Sequence, residues 1–241
     1  NQKRAKTMAT STAVADTENL APYLAPGRFI DSDHPTIKAY AAKAAGDAKD
    51  EVNIACRLYY AVRDDLLYDP YGVPTTPEGF HASACLAARK GFCITKAALL
   101  AACARAMGLA ARVGYGDVRN HLVTQKLCEI MGSDLFVFHG YTDLHIEGRW
   151  VKATPAFNKT LCDRFGVKTL EFDGRTDSLF HPYDIAGRKH MEYIRQRGTY
   201  VDVPYDEIRA VWFATYRRDM VDSGFAVKDG DFHAEAAAER E

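Results

Sequence analysis

The 241-residue chain has no surplus of charge of either sign: 31 Lys+Arg stand against 32 Asp+Glu, a formal net charge of -1. A protein that neutralises nucleic-acid phosphates needs a basic surplus or stripe, so a dedicated nucleic-acid binder is excluded. The chain has no apolar run of about 18 residues, which excludes a membrane-spanning helix. It has no CxxC pair. Cys56, Cys85, Cys93, Cys103, Cys128 and Cys162 are scattered, which fits neither a dense disulfide scaffold nor a clustered zinc site. The N-terminus has no apolar targeting segment, so the expected compartment is reducing and cytoplasmic. No GxGxxG, Walker or HExxH pattern occurs, and we expect neither cofactor nor metal.

What is present is ordinary globular composition, 47% hydrophobic and 26% charged. A chain this long buries roughly 70–75% of its unfolded surface without staples. Residues 1–20 are polar and aperiodic and are expected to be disordered. Residues 21–222 read as one domain, and 223–241 as a flexible tail. In the first half, 35–46 reads as a short helix. Val52, Cys56, Tyr59, Val62 and Leu66 then recur at three- and four-residue spacing, one stripe of an amphipathic helix. Proline and glycine between Asp69 and Pro77 mark a loop, and 82–89 a helical turn or two. A helix over 94–107 is stopped by Gly108. The second half changes period: 111–117 alternates like a strand, 121–131 reads as a helix, and 135–146 with 150–153 as a hairpin turning at Glu147-Gly148. A helix over 205–216 follows. Helices first and an antiparallel sheet second make the fold α+β.

Among the cysteines, Cys93 has a distinctive place. It follows Gly91-Phe92 at the start of a helix, where unpaired N–H groups and the helix dipole favour a thiolate and can receive an oxyanion. Cys56 and Cys103 lie on apolar stripes and read as packing. A thiolate nucleophile needs an imidazole that is distant in sequence but near in the fold. His139, Tyr141, Asp143 and His145 share one strand face, and spacing alone leaves His139 and His145 both open.

The segment Gly91-Phe92-Cys93, the helix end Ala104-Arg105-Ala106-Met107-Gly108-Leu109-Ala110-Ala111-Arg112, then His139-Gly140-Tyr141 and Gly148-Arg149-Trp150-Val151 together resemble the transglutaminase-like superfamily. The similarity spans roughly residues 50–160, and the flanks 22–33 and 172–193 resemble its bacterial members. The resemblance implies a papain-like/transglutaminase-like core, with N-terminal helices on a small antiparallel sheet. It also implies Cys93 as nucleophile and His139, rather than His145, as general base and acid. The family's Asp, about fifteen residues beyond the His, is here Thr154, in Ala153-Thr154-Pro155. A carboxylate there would stabilise the imidazolium; a threonine hydroxyl orients the ring without charge. Asn158 is a possible orienter, but four strand residues place it roughly 13 Å off.

Asp117 is a second substitute. If its strand pairs antiparallel with the one starting near Phe136, Asp117 comes close to His139. The alternative is that it caps the following helix. Arg119 and Asn120 are then expected to line the cleft, with Tyr141 and His181 contacting substrate. Ile94 stands where animal crosslinking enzymes carry Trp, which argues against that activity. The expected function is cysteine-dependent acyl transfer on a peptide or small-molecule amide or ester, with hydrolysis slightly favoured over amide synthesis. Two other readings stand beside it: a catalytically degenerate binding domain, motivated by Thr154, and a metal-assisted hydrolase using His139, His145 and an acidic residue. Neither nucleic acid nor membrane is an expected partner, and oligomeric state cannot be read from the chain.

Overall fold

The computed structural model describes residues 18–120, 125–179, 186–187, 191–227 and 230–238. Its centre is a helix buried on every side. After α1 (Ala21–Leu24), α2 (Pro35–Ala45), α3 (Glu51–Asp65) and α4 (Ala82–Ala88) comes α5 (Cys93–Ala106), whose residues from Ile94 to Arg105 are all buried. An apolar stripe on one side would have made α5 a surface helix. The sequence CITKAALLAACARA instead carries small residues between the large ones, so α2, α3 and α4 can pack around it while a sheet covers the remaining side. Between α3 and α5 lie a 3-10 turn, Pro77–Phe80, and two short strands, β1 (Leu67–Tyr68) and β2 (Lys90–Gly91). The strands pair in parallel, with Tyr68 opposite Gly91.

The buried charge on α5 is accommodated by carbonyls. Lys96 is fully buried and donates to the carbonyl oxygens of Arg63 and Leu66, at 2.9 and 2.7 Å, closing the C-terminus of α3. Burial lowers its ammonium to about 7. Arg105 binds the Ala111 carbonyl through Nε and Nη2 at 3.0 and 2.8 Å, and the Ala25 carbonyl at 2.7 Å.

The main sheet comprises β3 (Ala111–Asn120), β4 (Leu135–Ile146), β5 (Arg149–Ala153) and β6 (Met191–Tyr200), in the order β5-β4-β3-β6 and antiparallel throughout. The α+β expectation, with helices packed on a small antiparallel sheet, holds. The remaining helices are α6 (Gln125–Met131), α7 (Lys159–Phe165), α8 (Tyr205–Thr215), α9 (Arg218–Asp222) and α10 (Phe232–Ala238). Of the expected 121–131 helix, residues 121–124 lie outside the described residues.

Three elements differ from expectation. β3 runs on past Asp117 to Asn120, so Asp117 caps no helix. The polar-aromatic stretch beginning at Met191 is an edge strand, mostly exposed, with no alternation strong enough to announce it. The segment beyond residue 222, expected as a tail, contributes buried Phe225 and Phe232, the latter on α10 against Tyr68, Tyr71 and Phe165. At the other end, Glu18 accepts from the Trp150 indole at 2.6 Å. Among the described residues no helix is long and apolar enough to cross a membrane.

Candidate active site

Cys93 is the first residue of α5. Phe92 is the N-cap, its N–H donating to the Thr95 hydroxyl at 3.2 Å. The Cys93 side chain is half-buried. The backbone N–H groups of Gly140, Ile94 and Cys93 itself bond its sulfur and favour the thiolate, but burial outweighs them and pushes the thiol up to about 11. This corrects the expectation from sequence: at the head of this helix, desolvation prevails over the dipole. The resting group is a thiol, and a base must take its proton.

β4 meets the helix at this point. A Cβ on Gly140 would lie 3.0 Å from the Cys93 carbonyl oxygen and 3.1 Å from the Ile94 Cα, so the missing side chain lets the strand approach the first turn of α5. One turn further on, the Thr142 hydroxyl donates to the Ala97 carbonyl at 2.8 Å. His139, immediately before Gly140, is 2% exposed and lines the same pocket as Cys93. His145, the other open candidate, packs its ring against Trp150 at 5.2 Å near the far end of the hairpin. The structure thus brings His139, and not His145, to the Cys93 pocket.

Asp117 comes next to this site, as its strand pairing required: Gly116 lies opposite His139 and a bulge follows before Val118. Its carboxylate goes elsewhere. Oδ1 accepts from the Phe138 N–H at 3.1 Å and from Arg197 Nε at 2.5 Å, and Oδ2 accepts from Arg197 Nη2 at 2.8 Å. Phe138 has φ 57°, a left-handed conformation uncommon for a bulky residue. Asp117 therefore fixes the strained residue just before His139.

Thr154 is 1% exposed. Its N–H donates to the Ser178 carbonyl at 3.1 Å, its carbonyl lies 3.2 Å from the Tyr59 hydroxyl, and its own hydroxyl has no hydrogen-bond partner among the described residues. Asn158 is spent on the loop: Oδ1 accepts from the Tyr68 N–H at 3.0 Å and Nδ2 donates to Thr160 at 2.6 Å.

The expected substrate contacts are placed apart from the pocket. Arg119 pairs with Asp134 at 3.1 Å, both well exposed. The Asn120 N–H donates to the Asp134 carbonyl at 3.1 Å. Tyr141 lies across Gly114, where a Cβ would come 2.2 Å from its ring, and under Lys152, 5.9 Å from the ring centre. None of the three lines the Cys93 pocket. His181 lies outside the described residues. What lines the pocket instead is Tyr68, Phe92, two residues of α6, the start of β4, Trp212, Tyr216 and Phe225. No local pattern announced these residues, which join only through tertiary packing; the one available sign was the small residue directly after His139. Tyr68 stands beside Gly91, and its phenol is held well above the usual range, by burial first and by its nearness to Cys93 second. Among the described residues no three His, Cys, Asp or Glu side chains gather as a metal site.

Residues 38–155 match the transglutaminase-like superfamily model, the family that the sequence resembles. No curated protein matches the chain. Two solved structures are similar. One is a candidate cysteine protease from Cytophaga hutchinsonii, with 18% identity and a TM-score of 0.47, the match covering 76% of this chain and 47% of that one. The other is a candidate protease from Parabacteroides distasonis, with 15% identity and a TM-score of 0.37, covering 56% of this chain and 25% of that one. This chain therefore spans about half the length of the first and a quarter of the second.

Proposed function

We propose that the protein catalyses acyl transfer from an amide or ester through a Cys93 thioester. The observation that carries this reading is the meeting of Cys93, at the first position of α5, with His139 in one pocket. The His139 imidazole takes the thiol proton as sulfur attacks the carbonyl carbon. A C–S bond forms, and the carbonyl electrons move to oxygen. The Cys93 N–H and the Tyr68 hydroxyl hold that oxyanion. When it collapses, the C–N or C–O bond breaks and the imidazolium returns its proton to the leaving amine or alcohol. Water, deprotonated by His139, then cleaves the thioester and restores the thiol. Hydrolysis is favoured over transfer to an amine because water needs no second pocket.

Because burial holds the thiol near 11, His139 supplies the reactivity at neutral pH. Limiting iodoacetamide at pH 7.5 with peptide mapping tests this. We expect Cys93 to label first in wild type. In His139→Ala its labelling should fall and then climb about tenfold per pH unit toward 11, as the thiolate fraction rises. Labelling of Cys93 no faster than that of Cys128, or equal in both proteins, would remove the catalytic reading. Thr154, uncharged where the family carries Asp, favours a second reading: ligand binding without turnover. A Cys93 inert at neutral pH in a protein that still binds ligand would establish it.

A further inference from the structure

The wall of the Cys93 pocket says what kind of acyl group it takes. Resting on the proposed acyl transfer, we infer that the acyl chain is apolar and uncharged, between a branched aliphatic group and a single phenyl ring in size. Apart from Cys93 and His139, the pocket is lined by side chains such as Leu127, Met131, Phe136, Phe138, Trp212 and Phe225, and among the described residues no Asp, Glu, Lys or Arg lines it. The Tyr216 hydroxyl is already engaged, donating to the Leu135 carbonyl at 3.0 Å and accepting from the Val137 N–H at 2.8 Å. The Arg197 guanidinium lies 4.4 Å over the Phe138 ring and is paired with Asp117 through two of its nitrogens. A carboxylate or ammonium entering here would lose its water and find no opposite charge among the described lining residues, whereas an apolar group would exchange water for aromatic surface.

Size follows from volume. The cavity of about 60 Å³ has room for roughly four to six water-sized groups, the span from isobutyl to phenyl. Three of the fifteen lining residues lie outside the family segment of residues 38–155: Trp212 on α8, Tyr216 after it and Phe225 beyond α9. These three aromatics complete a wall built mainly by residues within that segment.

The test uses the full chain with p-nitrophenyl isovalerate, phenylacetate, acetate and hemisuccinate, following nitrophenol release together with intact-mass detection of the Cys93 adduct. We expect kcat/KM for isovalerate and phenylacetate to exceed hemisuccinate by about a hundredfold and acetate by about tenfold. Comparable rates for hemisuccinate and isovalerate, with acyl groups on Cys93, would overturn the inference while leaving acyl transfer standing. If no ester acylates Cys93, the catalytic reading falls instead. Binding then decides the pocket: in Trp150→Phe, where Trp212 is the sole indole, isovaleramide and phenylacetamide should shift fluorescence saturably and succinamate should not. Equal responses, or none from the apolar amides, would overturn it.

Discussion

The two sides of β4 handle buried polarity in opposite ways. Toward β6, the Asp117 carboxylate is held on both oxygens, bound by Arg197 Nε and Nη2 and by the Phe138 N–H. Toward β5, Thr154 presents a buried hydroxyl with no hydrogen-bond partner among the described residues, at the position that the sequence resemblance aligns with the family's carboxylate. Charge near His139 is thus present, but it is invested in backbone. An ion pair whose side chains are 7% and 11% exposed repays its desolvation only when every partner is in place. Asp117 meets that condition by holding the left-handed Phe138. The lesson is that proximity of a carboxylate to a histidine does not make it the histidine's partner; the competing donors decide.

The largest expected effect lies at the junction of the two sides. His139→Ala should lower kcat for an activated ester by about 10²–10⁴-fold, with the thermal melt lowered only modestly. Loss of less than tenfold would show that another group takes the thiol proton.

On the β6 side, Asp117→Ala leaves Arg197 buried without its carboxylate and Phe138 without its acceptor. We expect a loss of about 3–5 kcal/mol, a Tm lower by about 10 °C for a chain of this size. The turnover of the remaining folded enzyme should also fall, because His139 follows the released bulge. A melt unchanged within 2 °C, a margin of about 1 kcal/mol, would mean the pair adds nothing and would erase the contrast with β5.

Between the sides, Gly140→Ala places a methyl group 3.0 Å from the Cys93 carbonyl oxygen. Strand and helix must separate by a few tenths of an ångström, at about 1–3 kcal/mol. Activity should fall more than stability, by about 10²-fold, since a displacement of that order separates nucleophile and base. Full activity in Gly140→Ala would show that the close approach is dispensable.

On the β5 side the expected effect is the smallest. Thr154→Val removes a hydroxyl that has no partner among the described residues, so stability should hold or rise by up to about 1 kcal/mol, with kcat within about twofold of wild type. A hundredfold loss of kcat would place Thr154 in the catalytic machinery and reverse the comparison.

Much of this was legible in the chain. The break at Gly91-Phe92, the 94–107 periodicity and Gly108 located the central helix, and Cys93 stands at its start. The Glu147-Gly148 turn and the flanking alternation located β4 and β5. The register of β3 against β4 then brought Asp117 near His139, as antiparallel pairing requires. Missed were β6, whose exposed edge carries almost no alternation, the buried aromatics beyond residue 222, and the pocket wall.

The sequence by itself determined the elements, the family resemblance, the cysteine at a helix start and the histidine two residues from a tyrosine on a strand, because these depend on local periodicity and short spacings. Only the tertiary structure decided the burial that pushes the Cys93 thiol up, the partner of Asp117 and the apolar character of the pocket. Desolvation, ion pairing and cavity shape are sums over neighbours from distant parts of the chain. Cys93 meets β4, Asp117 meets β6, and Trp212 and Phe225 close the wall only after all of these elements have packed.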